Sequence, residues 1–191
     1  MASELLDSID AAMVEQLSLP NLFKLRSEAT PDTVTTFYGE IDWASMTRVL
    51  KIMAVGTSSR VLDVGCGGGR WLVAANESKC AGVFGIEYVA DRAQVARNVL
   101  GERATVITGD ACDVALWNDI RPTHVIMYDK IWCDSALDPL NAIIQASPTV
   151  MCVASWKMKH IPGFEVASNL FTHTWPTNER FRCYIHKRVR P

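Results

Sequence analysis

The 191-residue chain lacks an apolar run approaching the ~20 residues that a membrane-spanning helix needs. Its first residues, MASELLDSID, are acidic where a secretory signal would be basic and then greasy, so a soluble place in the nucleus or cytoplasm is expected and no membrane partner is. It also lacks a C-x-x-C pair. The six cysteines, at 66, 80, 112, 133, 152 and 183, are scattered and mostly lie in apolar runs, where cysteine acts as a small hydrophobe. Neither a disulfide scaffold nor a zinc site is expected, and no metal site is assigned. There is no G-K-[ST] to hold a nucleoside triphosphate, which excludes a P-loop ATPase.

Charge of one sign is lacking as well, with 19 basic against 21 acidic side chains and a net charge of -2. The balance conceals segment charges of -3 over residues 1–60, -4 over 61–150 and +5 over 151–191. The basic end, RFRCYIHKRVRP, either contacts nucleic-acid phosphate or is a solvated terminal strand. With 49% hydrophobic residues, a chain of this length can bury roughly 70% of the surface its unfolded form exposes, so one sizeable core is expected.

Apolar residues recur at helical spacing in SELLDSIDAAMVEQLSL (Leu5, Leu6, Ile9, Met13, Leu17) up to Pro20, and residues 20–41 look irregular. DWASMTRVLKIMAVG offers Asp42 as a helix cap and Gly56 as a terminator. From Arg60, strands alternate with helices: RVLDV then GRWLVAANE, GVFGIE then DRAQVARNVLG, ATVITGD, THVIMYD then DPLNAIIQA, and TVMCVAS. PGFEVASNLFTHTW and RFRCYIHKRV follow as two strands with no helix between them. The pattern predicts an α/β fold, a mostly parallel sheet with helices on both faces and an antiparallel hairpin at its C-terminal edge. Ligands of such sheets bind beyond the carboxyl ends of the strands, which directs attention to loops 65–70, 87–90, 110–113 and 129–133.

The sharpest motif is VLDVGCGGGR, an apolar strand ending at Asp63 and running through Gly65, Cys66, Gly67, Gly68 and Gly69 into a helix. The nicotinamide and flavin fingerprint G-x-G-x-x-G would need glycine at 70, where this chain has Arg70. The G-x-G-x-G spacing suits an adenosyl ligand without a pyrophosphate better than a dinucleotide. The next strand ends at Glu87, 22 residues beyond Gly65, followed by Tyr88, and a carboxylate there can accept both ribose hydroxyls. The third strand ends in GDA, which puts Asp110 and Ala111 beside an adenine edge.

The ordered set DVGCGGG, GIE, GDA resembles the class I S-adenosylmethionine-dependent methyltransferases over residues 60–190, and implies a Rossmann-like seven-stranded sheet with S-adenosylmethionine as cofactor. Tyr38-Gly39-Glu40 resembles the YGE segment of the non-SET histone lysine methyltransferases, the telomeric-silencing disruptor family. With CYIH near the end, that resemblance spans residues 36–188. It implies that residues 1–58 carry helices and a loop covering the cofactor and that 59–191 form the methyltransferase core. It also implies that Tyr38 and Glu40 lie near the methionine end of the cofactor, that Tyr184 is an active-site residue, and that the acceptor is a protein lysine of a histone or nucleosome.

The fourth strand departs from the family's Asn-Phe pair, with Asp129, Lys130 and Ile131 in VIMYDKIW. Asp129 is assigned to the transfer site, where it would position an amine or accept its proton. The prolines of the Asn-Pro-Pro-Tyr motif of base N-methylating enzymes are absent. Trp132 and Trp156 either wall a lysine channel, whose aromatic faces favour a methylammonium, or pack in the core. An RNA or small-molecule acceptor, and a binding module without turnover, are the alternative readings.

Overall fold

Strands of short apolar residues and helices with one apolar face alternate in the computed structural model, which describes residues 2–16, 40–130, 132–175 and 177–189. The helices among these are α1 (Ala2–Gln16), α2 (Trp43–Met53), α3 (Arg70–Glu77), α4 (Ala90–Leu100), α5 (Val114–Ile120) and α6 (Asp134–Ala146). The strands are β1 (Glu40–Ile41), β2 (Arg60–Val64), β3 (Gly82–Glu87), β4 (Thr105–Thr108), β5 (His124–Met127), β6 (Cys152–Ser155), β7 (Phe164–Trp175) and β8 (Arg180–Arg188). They form one sheet in the order β1-β7-β8-β6-β5-β2-β3-β4.

Strands β2 to β6 run parallel, β8 lies antiparallel to β6, and β7 antiparallel to β8. The expected parallel sheet with a closing hairpin is therefore present. The expectation of seven strands needs one correction, because Glu40 and Ile41 pair antiparallel with Trp175 and Thr174 and add an eighth at the edge.

Helices α1 to α4 cover one face, where Ile9, Met46, Val49, Leu72, Ala93 and Leu100 meet the strand residues Val61 and Ile126. On the other face, Trp117 and Ile120 of α5 and Leu140 and Ile144 of α6 pack on Leu62, Val125 and Val153. The seven-residue α5 was not expected from the sequence, since it is too short to show a period. Its signal is Asp113, whose carboxylate accepts from Ala115 N at 2.9 Å.

Asp42 caps α2 as expected, accepting from Ser45 N at 2.7 Å and Ser45 Oγ at 2.9 Å. The helix ends before Gly56: Ala54 turns left-handed at φ 61° and Val55 N–H reaches back to Leu50 O at 3.1 Å. Helix α6 starts at Asp134, before the expected DPLNAIIQA, and contains Pro139. Helix α1 is tied to the core, with Ile9 and Met13 buried against Gly68. A Cβ at Gly68 would lie 2.8 Å from Ile9 Cγ2, so the helix approaches the backbone of the glycine turn closely.

Because Ile9 is fully buried in this contact, Ile9→Ala is expected to cost about 3 kcal/mol of stability. Urea unfolding followed by circular dichroism reads this. A change below about 0.5 kcal/mol, as for an exposed residue, would show that α1 does not pack here.

Candidate active site

The parallel strands end together. Ile107, Ile86, Val64, Met127, Ser155, Tyr184 and Asn169 form one row of registered neighbours across the sheet, and the candidate loops leave from this row or just beyond it. Leaving β2, the chain reverses sharply: Gly65 N and Cys66 N both donate to Ile86 O, at 2.8 and 3.1 Å. Gly65, Gly67 and Gly69 take φ values of 74°, 52° and 96°, the left-handed region where only glycine is unstrained. The aromatic ring of Trp132 lies over Gly65, 2.9 Å from where a Cβ would stand.

Three carboxylates gather behind this turn. Glu87 Oε2 accepts from Gly67 N at 2.8 Å and Oε1 from Val89 N at 2.9 Å, so the residue expected to receive a ribose first of all fixes the glycine turn. Each oxygen retains a second lone pair for a ligand hydroxyl. Asp63 is buried, and its Oδ2 has no hydrogen-bond partner among the described residues. Burial, then the charges of Glu40 and Glu87, push its carboxyl well above the ordinary range. Glu40 is itself buried, 3.9 Å from Arg70 Nε, while Arg70 Nη1 also pairs with Asp10 of α1.

Of the other predicted cofactor residues, Tyr88 is 40% exposed at the tip of β3. Asp110 is exposed, with Oδ1 accepting from Cys112 N at 2.8 Å, and Ala111 O receives Trp117 Nε1 at 2.8 Å. Cys66 is buried against the core, its thiol pushed up by burial and by the three acids. Tyr38 lies outside the described residues.

Asp129, expected at the transfer site, lies beneath the rim with its oxygens turned to the chain that follows β6. It is 0% exposed, and its oxygens accept from Ser155 Oγ (2.5 Å), Trp156 N (2.6 Å), Lys157 N (3.0 Å) and Met158 N (3.4 Å). An asparagine would turn its NH2 toward one of these donors, which gives a physical reason for an acid here. Burial nonetheless raises its carboxyl, against the pull of those hydrogen bonds. Trp156 also belongs to the core and not to a channel: it is buried edge-on to Trp71 and Tyr128, and its Nε1 donates to Thr172 Oγ1 at 2.7 Å.

Tyr184 is half-buried at the rim, opposite Ser155. Tyr128, which the sequence reading passed over, is half-buried beside Asp129, with its hydroxyl pushed up to about 12 by burial and by Glu179 and Glu40. Its signal was its place at the tip of β5. The basic C-terminal run divides. Arg188 is consumed by the fold, donating to Val150 O (2.6 Å), Ser147 O (2.8 Å) and Ile144 O (3.0 Å), and Lys187 pairs with Cys152 at the opposite end of the sheet. Among the described residues of the run, Arg180 and Arg182 lie at the rim, and Arg190 lies outside the described residues.

The strand order, with β2 and β3 meeting at a glycine turn and a reversed β8 inserted beside β6, is the fold of the class I S-adenosylmethionine-dependent methyltransferases. The family model of histone methylation protein DOT1 matches residues 20–108, a little under half of the chain. The 23S rRNA (uracil(1939)-C(5))-methyltransferase RlmD of Bordetella parapertussis is 30% identical over 129 residues, covering 65% of this chain. This chain spans only 27% of that relative's length. Among solved structures, a putative RNA methyltransferase from Pyrococcus horikoshii superposes with a TM-score of 0.62 at 16% identity, covering 91% of this chain and all of that one. An RNA methyltransferase from Salinibacter ruber, in complex with S-adenosyl-L-homocysteine, superposes with a TM-score of 0.60 at 18% identity over 78% of this chain and 94% of that one.

Two outcomes follow from the buried acids. Asp129→Ala strips the acceptor from the turn after β6 and is expected to cost about 3 kcal/mol in urea unfolding. Asp63 in the folded chain holds its proton more tightly than in the unfolded chain, so its contribution to stability falls as pH rises from the ordinary carboxylate range through its raised value. Asp63→Asn should remove that loss. Thermal melts of both proteins across pH should therefore diverge, the variant gaining on the parent as pH rises, and parallel curves would refute the placement.

Proposed function

We propose that the protein is an S-adenosylmethionine-dependent methyltransferase that acts on RNA. The observation carrying the cofactor reading is the unpartnered, buried Asp63 oxygen beside Glu40 and Glu87 at the glycine turn. A cluster of acids with its charge poorly solvated suits a ligand carrying a sulfonium and an ammonium. The left-handed glycines let the backbone approach the ligand closely, and Glu87 has lone pairs left for a ribose. On this reading Asp63, Gly65, Gly67, Gly69, Glu87 and Glu40 hold the cofactor, with Tyr88, Asp110 and Ala111 at the nucleoside end.

When bound, S-adenosylmethionine supplies a methyl group on an excellent leaving group, so the chain's contribution is alignment rather than acid-base activation. Asp129 acts here as a positioning residue: it fixes residues 155–158, the segment that follows β6 at the rim. Tyr128 and Tyr184 flank that rim, and with Tyr38 they are assigned to the acceptor side.

RNA is favoured as acceptor by the activities named for the relative and the solved neighbours. The rim arginines support it, because their charge attracts a phosphate chain and repels a lysine-rich histone tail. A second reading, protein lysine methylation, is supported by the DOT1 model match over residues 20–108 and by the Tyr38-Gly39-Glu40 segment.

Gly67→Arg is expected to abolish S-adenosylmethionine binding in titration calorimetry, because Gly67 sits at φ 52° with its N–H held by Glu87. Retained binding would sink the placement. The thermal stabilisation given by the cofactor should grow as pH rises, since a cationic ligand prefers ionised Asp63. Labelled methyl transfer to total RNA and to nucleosomes, with Gly67→Arg as the blank, separates the acceptors: label on RNA supports the main reading, and label on histone alone replaces it with the second.

A further inference from the structure

Beyond Asn169 and Tyr184 the β7–β8 hairpin continues past the ends of the parallel strands. Phe171 pairs with Arg182 and His173 with Arg180 in this projection. Alternate residues of a strand share a face, so Asn169, Phe171 and His173 of β7 and Arg180, Arg182 and Tyr184 of β8 all lie on one side. The opposite side carries Leu170, Thr172 and Cys183, which are buried in the core. Two residues of strand add about 7 Å, so Phe171 and Arg182 stand roughly that far above Tyr184.

This surface has an unusual make-up. Phe171 is 38% exposed, and the guanidinium carbons of Arg180 and Arg182 lie 3.7 and 4.9 Å from its ring centroid. Arg182 Nη1 is further steadied by Asn169 Oδ1 at 3.3 Å. Neither arginine is in a described salt bridge with an acid, and Glu179 is the acidic neighbour on the connecting turn. A guanidinium stacked on an aromatic ring presents a second flat, cationic face. An unpaired nucleobase stacks on such a face while the guanidinium edge reaches phosphate, and neither an acidic peptide nor a duplex with its bases stacked inside uses both.

We propose that this face of the hairpin, Phe171, Arg180 and Arg182 continuing from Tyr184, is a stacking platform for single-stranded RNA that leads the acceptor nucleotide to the rim of the sheet. The proposal rests on the RNA methyltransferase reading above and assigns that reading its substrate-holding surface. Within the basic end it puts the nucleic-acid contact at Arg180 and Arg182, at the other end of β8 from Lys187 and Arg188.

The test is binding of a fluorescein-labelled, mixed-sequence 20-nucleotide single-stranded RNA to the full chain, measured by anisotropy over a series of salt concentrations. Arg180→Ala/Arg182→Ala is expected to weaken binding by at least tenfold and to flatten the log-log salt slope by about 1.4, for two lost contacts to a single strand. Phe171→Ala should weaken binding about tenfold with the slope unchanged. Arg180→Lys/Arg182→Lys should keep the slope and still lose affinity, a result that a merely electrostatic patch would not give. Calorimetric S-adenosylmethionine binding and the melting temperature report whether each variant is folded.

Unchanged RNA affinity and slope in the alanine pair would overturn the proposal, as would equal affinity for the same sequence as a duplex, or a labelled poly-glutamate peptide binding at this face in place of RNA. The two readings fail separately: RNA that is methylated but bound independently of these arginines refutes the surface alone. RNA bound through them and never methylated refutes the activity and leaves the surface standing.

Discussion

Glu87 is the residue on which the carboxyl edge of the sheet depends. One oxygen takes the N–H of Gly67 from the turn after β2, the other the N–H of Val89 at the entrance to α4, so a single buried side chain fixes two loops against each other. The same turn after β2 is closed by paired donations from Gly65 and Cys66 to Ile86 O, on the strand that bears Glu87. Because the loops are held by backbone donors to a strand-borne carboxylate, the site is built on rigid elements. The same arrangement concentrates negative charge: with Glu87 committed to the backbone, Asp63 and Glu40 are crowded into a small volume with little solvent.

Charge at the carboxyl edge is thus arranged by depth. Asp63, Glu40 and Glu87 lie buried beneath the glycine turn, while Arg180 and Arg182 of the late segment lie at the rim and Arg188 is spent on the fold. Arg188 closes the end of α6 by donating to three carbonyls there, and stacks on Phe164, whereas Arg180 and Arg182 stand over Phe171. A compact cation and a long polyanion would therefore be attracted to different depths of one site without competing for the same groups.

Much of this was legible in the sequence. The glycine run, the acid ending β3 and the switch to strand-helix alternation at Arg60 all express local requirements, namely positive φ, a capped turn and a half-buried helix, and such requirements leave marks at fixed spacing. The turn after β2 and the gathering of the candidate loops at the carboxyl ends of the strands followed from them. What did not show was anything decided by packing at a distance. Asp129 reads as a reactive acid at a strand tip, and only the arrival of Ser155, Trp156 and Lys157 from the next strand turns it into a buried acceptor. Trp156 had both readings open until Trp71 and Thr172 closed around it. The basic run at the end of the chain looks uniform in sequence, and only strand register separates the rim arginines from the one that binds α6.

The position of β8 has a consequence for how the chain assembles. Among the described strands β8 comes last in the chain, yet it lies between β6 and β7, and β1, which comes first, pairs with β7. Until β8 arrives, β7 has no route onto the sheet, and β1 has no anchored neighbour. The half of the molecule from β2 to β6 can gather its parallel strands during synthesis, whereas the edge made of β1, β7 and β8 waits for an insertion between two partners. Glu40 belongs to that edge, so the third acid is held beside Asp63 and Glu87 through a strand pairing that β8 makes possible.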